Sequence, residues 1–182
     1  NKGDVASIVT LDLEAAKNFL KKENNEEKLN LNALVVIGSR EGCVLATTWA
    51  QRDWRFPSIG SRKQGQDVKA LVLLSPKRLL RGMSIDNALK DPNLARLPTM
   101  VVVGEGSAEA SDTNRVIRRI EVVKKKLAGR KEPEGLEVMK ISQPLGGAAL
   151  VQGSPKVIPE VVKFITENVK ISDVDNPWVE RN

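Results

Sequence analysis

The sequence predicts an α/β protein: a mostly parallel β-sheet with helices on both faces. Three observations carry that expectation. Apolar runs of five to seven residues, Leu31–Ile37, Val68–Leu74 and Thr99–Val103, are continuous rather than alternating, as in parallel strands covered on both faces. Stretches with helical periodicity separate these runs, so strand and helix alternate along the chain. A glycine pair, Gly38 and Gly42, brackets the passage from the first strand to the helix after it, which implies a turn tight enough to need small residues.

The first periodic segment is Leu11–Lys22, where Leu13, Ala16, Phe19 and Leu20 share one face. A polar connection, Asn24–Asn30, leads to the first strand. Glu41–Gln51 reads as a helix whose small residues Gly42, Cys43 and Ala46 let it lie close to the sheet. Arg52–Asp67 reads as a long loop carrying Trp54 and Pro57, a surface excursion beside a cleft. Val68–Leu74 is the second strand, and Ser75-Pro76 ends it. Ser84 is placed to cap a short helix through Leu89, and Pro92 and Pro98 bracket an irregular link to Thr99–Val103. The segment Asp112–Leu127 is a long helix with an apolar stripe of Val116, Ile117, Ile120, Val123 and Leu127, stopped by Gly129. Leu136–Ile141 alternates more and suits a strand nearer an edge. A Gly-rich stretch, Gln143–Gly153, precedes the closing helix Ile158–Asn168, which tolerates Pro159 in its first turn and turns Val161, Val162 and Ile165 inward. The reading is a single domain over residues 1–182, with a core of about 10–169 and a polar, loosely docked tail over 170–182.

Composition narrows the chemistry. The 182 residues are enough for one substantial core. Aromatics make up 3% with no tyrosine, so aliphatic side chains must build that core. No apolar run approaches the roughly 20 residues of a membrane span. With no histidine and the single Cys43, the usual nitrogen and sulfur zinc ligands are missing, and no metal or cofactor is expected. The net charge of +6 permits attraction to anions. Its main cluster, Arg118, Arg119, Lys124, Lys125 and Lys126, reads as a solvated helix face. Without a nucleic-acid module or stacking aromatics, nucleic-acid binding is not expected.

Gly38-Ser39-Arg40-Glu41-Gly42 has the spacing of a nucleophile elbow, the strained strand-to-helix turn written Gly-x-Ser-x-Gly. Together with Val68-Lys69-Ala70-Leu71-Val72-Leu73-Leu74-Ser75-Pro76, Val101-Val102-Val103-Gly104-Glu105 and Gly146-Gly147-Ala148-Ala149-Leu150, the chain resembles the C-terminal part of the α/β-hydrolase fold over about Thr10–Val169. The resemblance implies a triad of nucleophile, acid and histidine at the C-terminal ends of the strands. Carried onto this sequence, the nucleophile position falls on Arg40. The acid falls on Ser107, with Gly106 or Glu109 as alternatives if the loop shifts, and the base falls on Gly146. A permanently protonated guanidinium is no nucleophile and glycine offers no base. Moving the elbow by one residue would make Ser39 the nucleophile, with the glycines then flanking the wrong position.

The expectation is therefore a non-catalytic α/β-hydrolase-like binding or structural module with a degenerate triad at Arg40, Ser107 and Gly146. Candidate ligand contacts are Arg40, Glu41 and Trp54, and the partners admitted are a small anionic ligand, another protein or a second copy. Two alternatives stay open. One is an active esterase or peptidase using groups such as Ser39, Glu41, Ser75 or Glu109. The other is a subunit of a larger assembly, because the resemblance implies strands ahead of the elbow that this chain does not supply, and an unpaired sheet edge invites association. Cys43 reads as a small core residue, although its place near a helix start is one where a thiol pKa can fall.

Overall fold

The computed structural model describes residues 1–182 except Ser61, Asp173 and Asn182. Its centre is a parallel sheet of four strands among the described residues: β1 (Leu34–Ser39), β2 (Val68–Leu74), β5 (Thr99–Gly104) and β6 (Leu136–Ile141), in the spatial order β1-β2-β5-β6. A two-residue antiparallel ribbon, β3 (Leu79–Leu80) with β4 (Met83–Ser84), lies outside it. β2 and β5 pair on both sides and are almost wholly buried, which is why their sequences are continuous apolar runs.

Side chains alternate across the sheet and build two cores. Ala70, Val72 and Leu74 of β2, with Met100 and Val102 of β5, face α7 (Ala149–Gly153) and α8 (Val157–Asn168), whose Leu150, Val157 and Phe164 complete the layer. Leu71, Leu73 and Val101 point the other way. They meet α3 (Gly42–Arg55), α4 (Ile85–Leu89), α5 (Pro92–Arg96) and α6 (Ala110–Ala128). The expected α/β architecture, with helices on both faces of a parallel sheet, is the one observed.

Several elements differ from the sequence reading, each for a local reason. The N-terminal helix starts at Lys2, where Asn1 forms a capping box with Asp4, and runs as α1 (Lys2–Ser7), a π-helical turn over Ile8–Asp12 and α2 (Leu13–Asn25). Val5 and Val9 take its buried face, while Phe19, expected inward, is 62% exposed. Leu31–Ala33 is a 3-10 turn capped by Asn30, so the strand starts three residues late. β1 is not a covered central strand: it lies at the sheet edge with Ile37 54% exposed. α3 extends to Arg55 and absorbs the start of the expected loop, and α5 forms inside the link between Pro92 and Pro98, with Pro92 in its first turn and Asp91 as cap. In α8 it is Phe164 that is buried, whereas Val162 is exposed. In α6 the expected stripe is buried at Val116, Ile117 and Ile120, but at its C-terminal end Lys124 is buried and Leu127 is 42% exposed.

The tail is tied down rather than loose. Asn24, Asn25, Asn30 and Asn32 donate side-chain N–H bonds to the carbonyls of Val179, Arg181, Asn176 and Pro177, and the Trp178 indole donates to Asn24 O at 2.9 Å. Arg181, 3% exposed, ion-pairs with buried Asp67. Asp67 also meets Lys17 at 3.1 Å and Lys63 at 2.9 Å, and Lys17 bonds Asp53 at 2.5 Å. Asp53 in turn accepts the backbone N–H groups of Asp67 and Val68. A run of asparagines that reads as a polar connection is the clamp that holds the C-terminal segment.

Candidate functional site

β1 ends at Ser39, and the chain turns through Arg40 and Glu41 into α3. Arg40 has φ +51°, a left-handed backbone that a bulky side chain adopts only under constraint. Two bonds hold it there: Arg40 N–H donates to Leu74 O at 2.9 Å, and its carbonyl accepts from Cys43 N at 3.2 Å. Gly38 makes the bend possible, since a Cβ there would lie 2.8 Å from Cys43 Cα. Gly42 has no such role, for among the described residues nothing lies within 4 Å of the space its Cβ would take. One glycine of the pair is required by packing and the other is not. Ser75, at the matching end of β2, also has positive φ (+48°) and is buried.

The next two strands deliver the rest of the site. After β5 a turn over Glu105–Ala108 carries Glu109 to the start of α6. After β6 the loop 142–148 folds back over the end of β5, so close that a Cβ on Gly104 would strike the carbonyls of Gln143 and Leu145. This loop places Gly146 against the Glu109 carboxylate, where a Cβ would collide with Oε2. Gly147, at φ +59°, lies under the Arg40 side chain, where a Cβ would come within 2.7 Å of Arg40 Cδ and Cγ. The structure therefore assembles Arg40, Glu109 and the Gly146–Gly147 turn at one place.

Electrostatics fixes the arrangement. The Arg40 guanidinium ion-pairs through Nη2 with Glu109, whose side chain is 4% exposed while that of Arg40 is 47% exposed. A carboxylate withdrawn from water needs a cation or several N–H donors, and Arg40 supplies the charge. Of the residues the sequence offers at the acid position, Glu109 is the one that contacts Arg40. Ser107 lies in the turn before it, its hydroxyl buried with no partner among the described residues. Glu41 stands 4.0 Å from Arg40 Nε and takes a 2.6 Å bond from Lys77 Nζ, which holds its carboxyl below the ordinary value. Lys77 N–H also reaches the Arg40 carbonyl at 3.3 Å. No sequence signal singled out Lys77, which follows the Ser75-Pro76 stop and looks like an ordinary loop cation.

Trp54 does not join this group. It lies in the last turn of α3, four turns of chain from Arg40, donates its indole N–H to Val68 O at 3.0 Å, and has Lys69 Nζ 5.7 Å above its ring. Cys43 is wholly buried behind the elbow, and burial pushes its thiol up to about 12, the opposite of activation by a helix start. Among the described residues no group of three or more Asp, Glu or Cys side chains is placed to hold a metal ion, and no helix is long and apolar enough to cross a membrane.

No protein-family model matches the sequence, and a comparison with curated proteins found no match. Among solved structures the chain is similar to that of the Francisella virulence factor BioJ, with a TM-score of 0.52 and 13% sequence identity. The alignment covers 84% of this chain and 58% of that one. At this identity the likeness is one of fold, and it supports an α/β-hydrolase-like fold for this chain.

Proposed function

We propose that this protein is a non-catalytic α/β-hydrolase-like module, one that binds or supports a partner through a fold whose elbow no longer performs acyl transfer. The observation that carries this reading is the ion pair between Arg40, at the elbow, and buried Glu109. Acyl transfer needs an attacking atom at the bend and a base to remove its proton. Here the bend presents a guanidinium, which stays protonated and is already paired, and the loop facing it presents two glycines. An anionic ligand at Arg40 would have to share the guanidinium with Glu109, so this site favours weak, competitive anion contact. Ester hydrolysis tests the reading: with p-nitrophenyl acetate, wild type and Glu109→Gln should give equal rates, both proportional to nonspecific surface reaction. A saturable wild-type rate lost on substitution of Glu109, Ser39 or Ser75 would refute it.

A second reading, a subunit of a larger assembly, is favoured by the edge strand β1. Ile37 is more than half exposed there, and a groove of about 330 Å³ lined by Leu13, Leu20, Val36, Ile37 and Trp49 runs beside it. Light scattering at micromolar concentration tests it: a mass above one chain supports association, and a strict monomer argues against self-assembly.

A further inference from the structure

The charges on α6 divide into two sets, and one of them surrounds a cavity. Arg115, Arg118 and Arg119 stand at spacings of three and four along the helix and so share a face. They line a surface cavity of about 490 Å³ together with Lys90, just beyond α4, and Arg78, which follows β2. One carboxylate, Asp86, stands among these five cations, and it is engaged by Arg78 Nη2 at 2.7 Å. Arg78 is further fixed by its backbone N–H, which donates to Asp112 Oδ2 at 3.3 Å.

The side chains of the other four cations form no ion pair among the described residues. Among those residues no hydrogen bond engages the side chains of Lys90, Arg115, Arg118 or Arg119 either, and the Nε of Arg119 is buried without an acceptor. Like charges at these helical spacings repel, and a buried guanidinium N–H without an acceptor costs free energy. The cluster thus raises the energy of the free protein, in a place where a multivalent anion would lower it. Arginine suits phosphate in particular, since its planar fork donates two parallel N–H bonds to a pair of phosphate oxygens. Among the described residues no aromatic ring lines the cavity, so none is there to stack a base.

We propose that this cavity is a binding site for a small anion carrying two or more linked phosphate groups, held by Arg78, Lys90, Arg115, Arg118 and Arg119 and recognised through its phosphates alone. The site lies apart from Arg40 and does not depend on the reading of the elbow. Attraction on this scale weakens as salt rises, because mobile ions screen it.

Isothermal titration of the full chain with orthophosphate, pyrophosphate and tripolyphosphate tests the proposal. Affinity should rise with each added phosphate, saturate at one ligand per chain, and fall at least tenfold between 50 and 500 mM salt, values chosen to span roughly two Debye regimes. Arg115 and Arg118 are exposed, so Arg115→Gln/Arg118→Gln should keep the fold and lose at least tenfold in tripolyphosphate affinity. Lys125→Gln/Lys126→Gln, exposed on the same helix and removing the same charge, should lose less than twofold. ATP should bind within about threefold of tripolyphosphate, since the nucleoside finds no platform. Heats no larger than dilution, equal losses in the two double variants, or a single-stranded oligonucleotide binding more than tenfold tighter than tripolyphosphate would each overturn the proposal.

Discussion

Replacing Arg40 by alanine strips Glu109 of its counter-charge while the carboxylate stays walled in by Gly146 and the start of α6. Breaking a fully buried ion pair from one side costs roughly 3–5 kcal/mol. Arg40 is 47% exposed, so solvent already screens part of this pair, and about 2 kcal/mol is the expected loss. The backbone supplies an internal control. Alanine keeps the penalty of φ +51° and glycine does not, so Arg40→Gly should be more stable than Arg40→Ala by about 1 kcal/mol. Glu109→Gln removes the buried charge and leaves a guanidinium that can turn to water, at a cost under about 1 kcal/mol. A double-mutant cycle over Arg40→Ala and Glu109→Gln should then give a coupling of about 1–2 kcal/mol. Urea melts followed by circular dichroism read these values. With a slope of about 2.5 kcal/mol per molar, a 2 kcal/mol loss moves the midpoint by about 0.8 M. An Arg40→Ala midpoint equal to wild type, or a coupling near zero, would refute the claim that this pair closes the site.

Three further outcomes follow from the packing. Gly38→Ala should cost about 2 kcal/mol or more, because its methyl meets the Cys43 backbone, whereas Gly42→Ala should be neutral or stabilise by about 0.5 kcal/mol, a contrast that urea midpoints resolve. Lys124 is buried, its Nζ donating to the carbonyls of Ala95 and Leu97, and desolvation pushes its ammonium down to about 8. The native state therefore holds fewer protons than the unfolded chain between pH 8 and the ordinary lysine value, so stability should rise with pH across that window by up to about 3 kcal/mol. Lys124→Met should flatten the rise, and parallel slopes for variant and wild type would contradict this. Arg181→Ala should cost about 1–2 kcal/mol, since Lys17 and Lys63 still meet Asp67 while the packing and bonds of the buried guanidinium are lost, and should raise amide exchange over 176–181 above that of α8; unchanged exchange there would contradict the clamp.

Much of the fold was legible because burial writes itself into sequence. β2 and β5, paired on both sides, are continuous apolar runs, and α6 announces its core face through Val116, Ile117 and Ile120. What stayed hidden depended on contacts far along the chain. β1 reads like a central strand because its side chains are as apolar as those of β2, yet pairing on only one side makes it an edge. The asparagines at 24, 25, 30 and 32 look like a loop until the chain returns more than a hundred residues later to accept their bonds. At the site, Arg40 was legible from the elbow spacing. The choice of Glu109 from among its neighbours was not, since it depends on how one turn after β5 meets the glycine loop after β6. Trp54 looked exposed only because α3 runs a full turn further than its apolar pattern.

The most direct measurement is the intact mass of the folded protein after prolonged incubation with a fluorophosphonate, a reagent that reports an activated hydroxyl whatever the natural substrate. An elbow held shut by a guanidinium and a carboxylate predicts an unmodified chain, with any trace label unchanged by prior unfolding. One phosphonate per chain, mapped to Ser39 or Ser75 and abolished by unfolding, would contradict it.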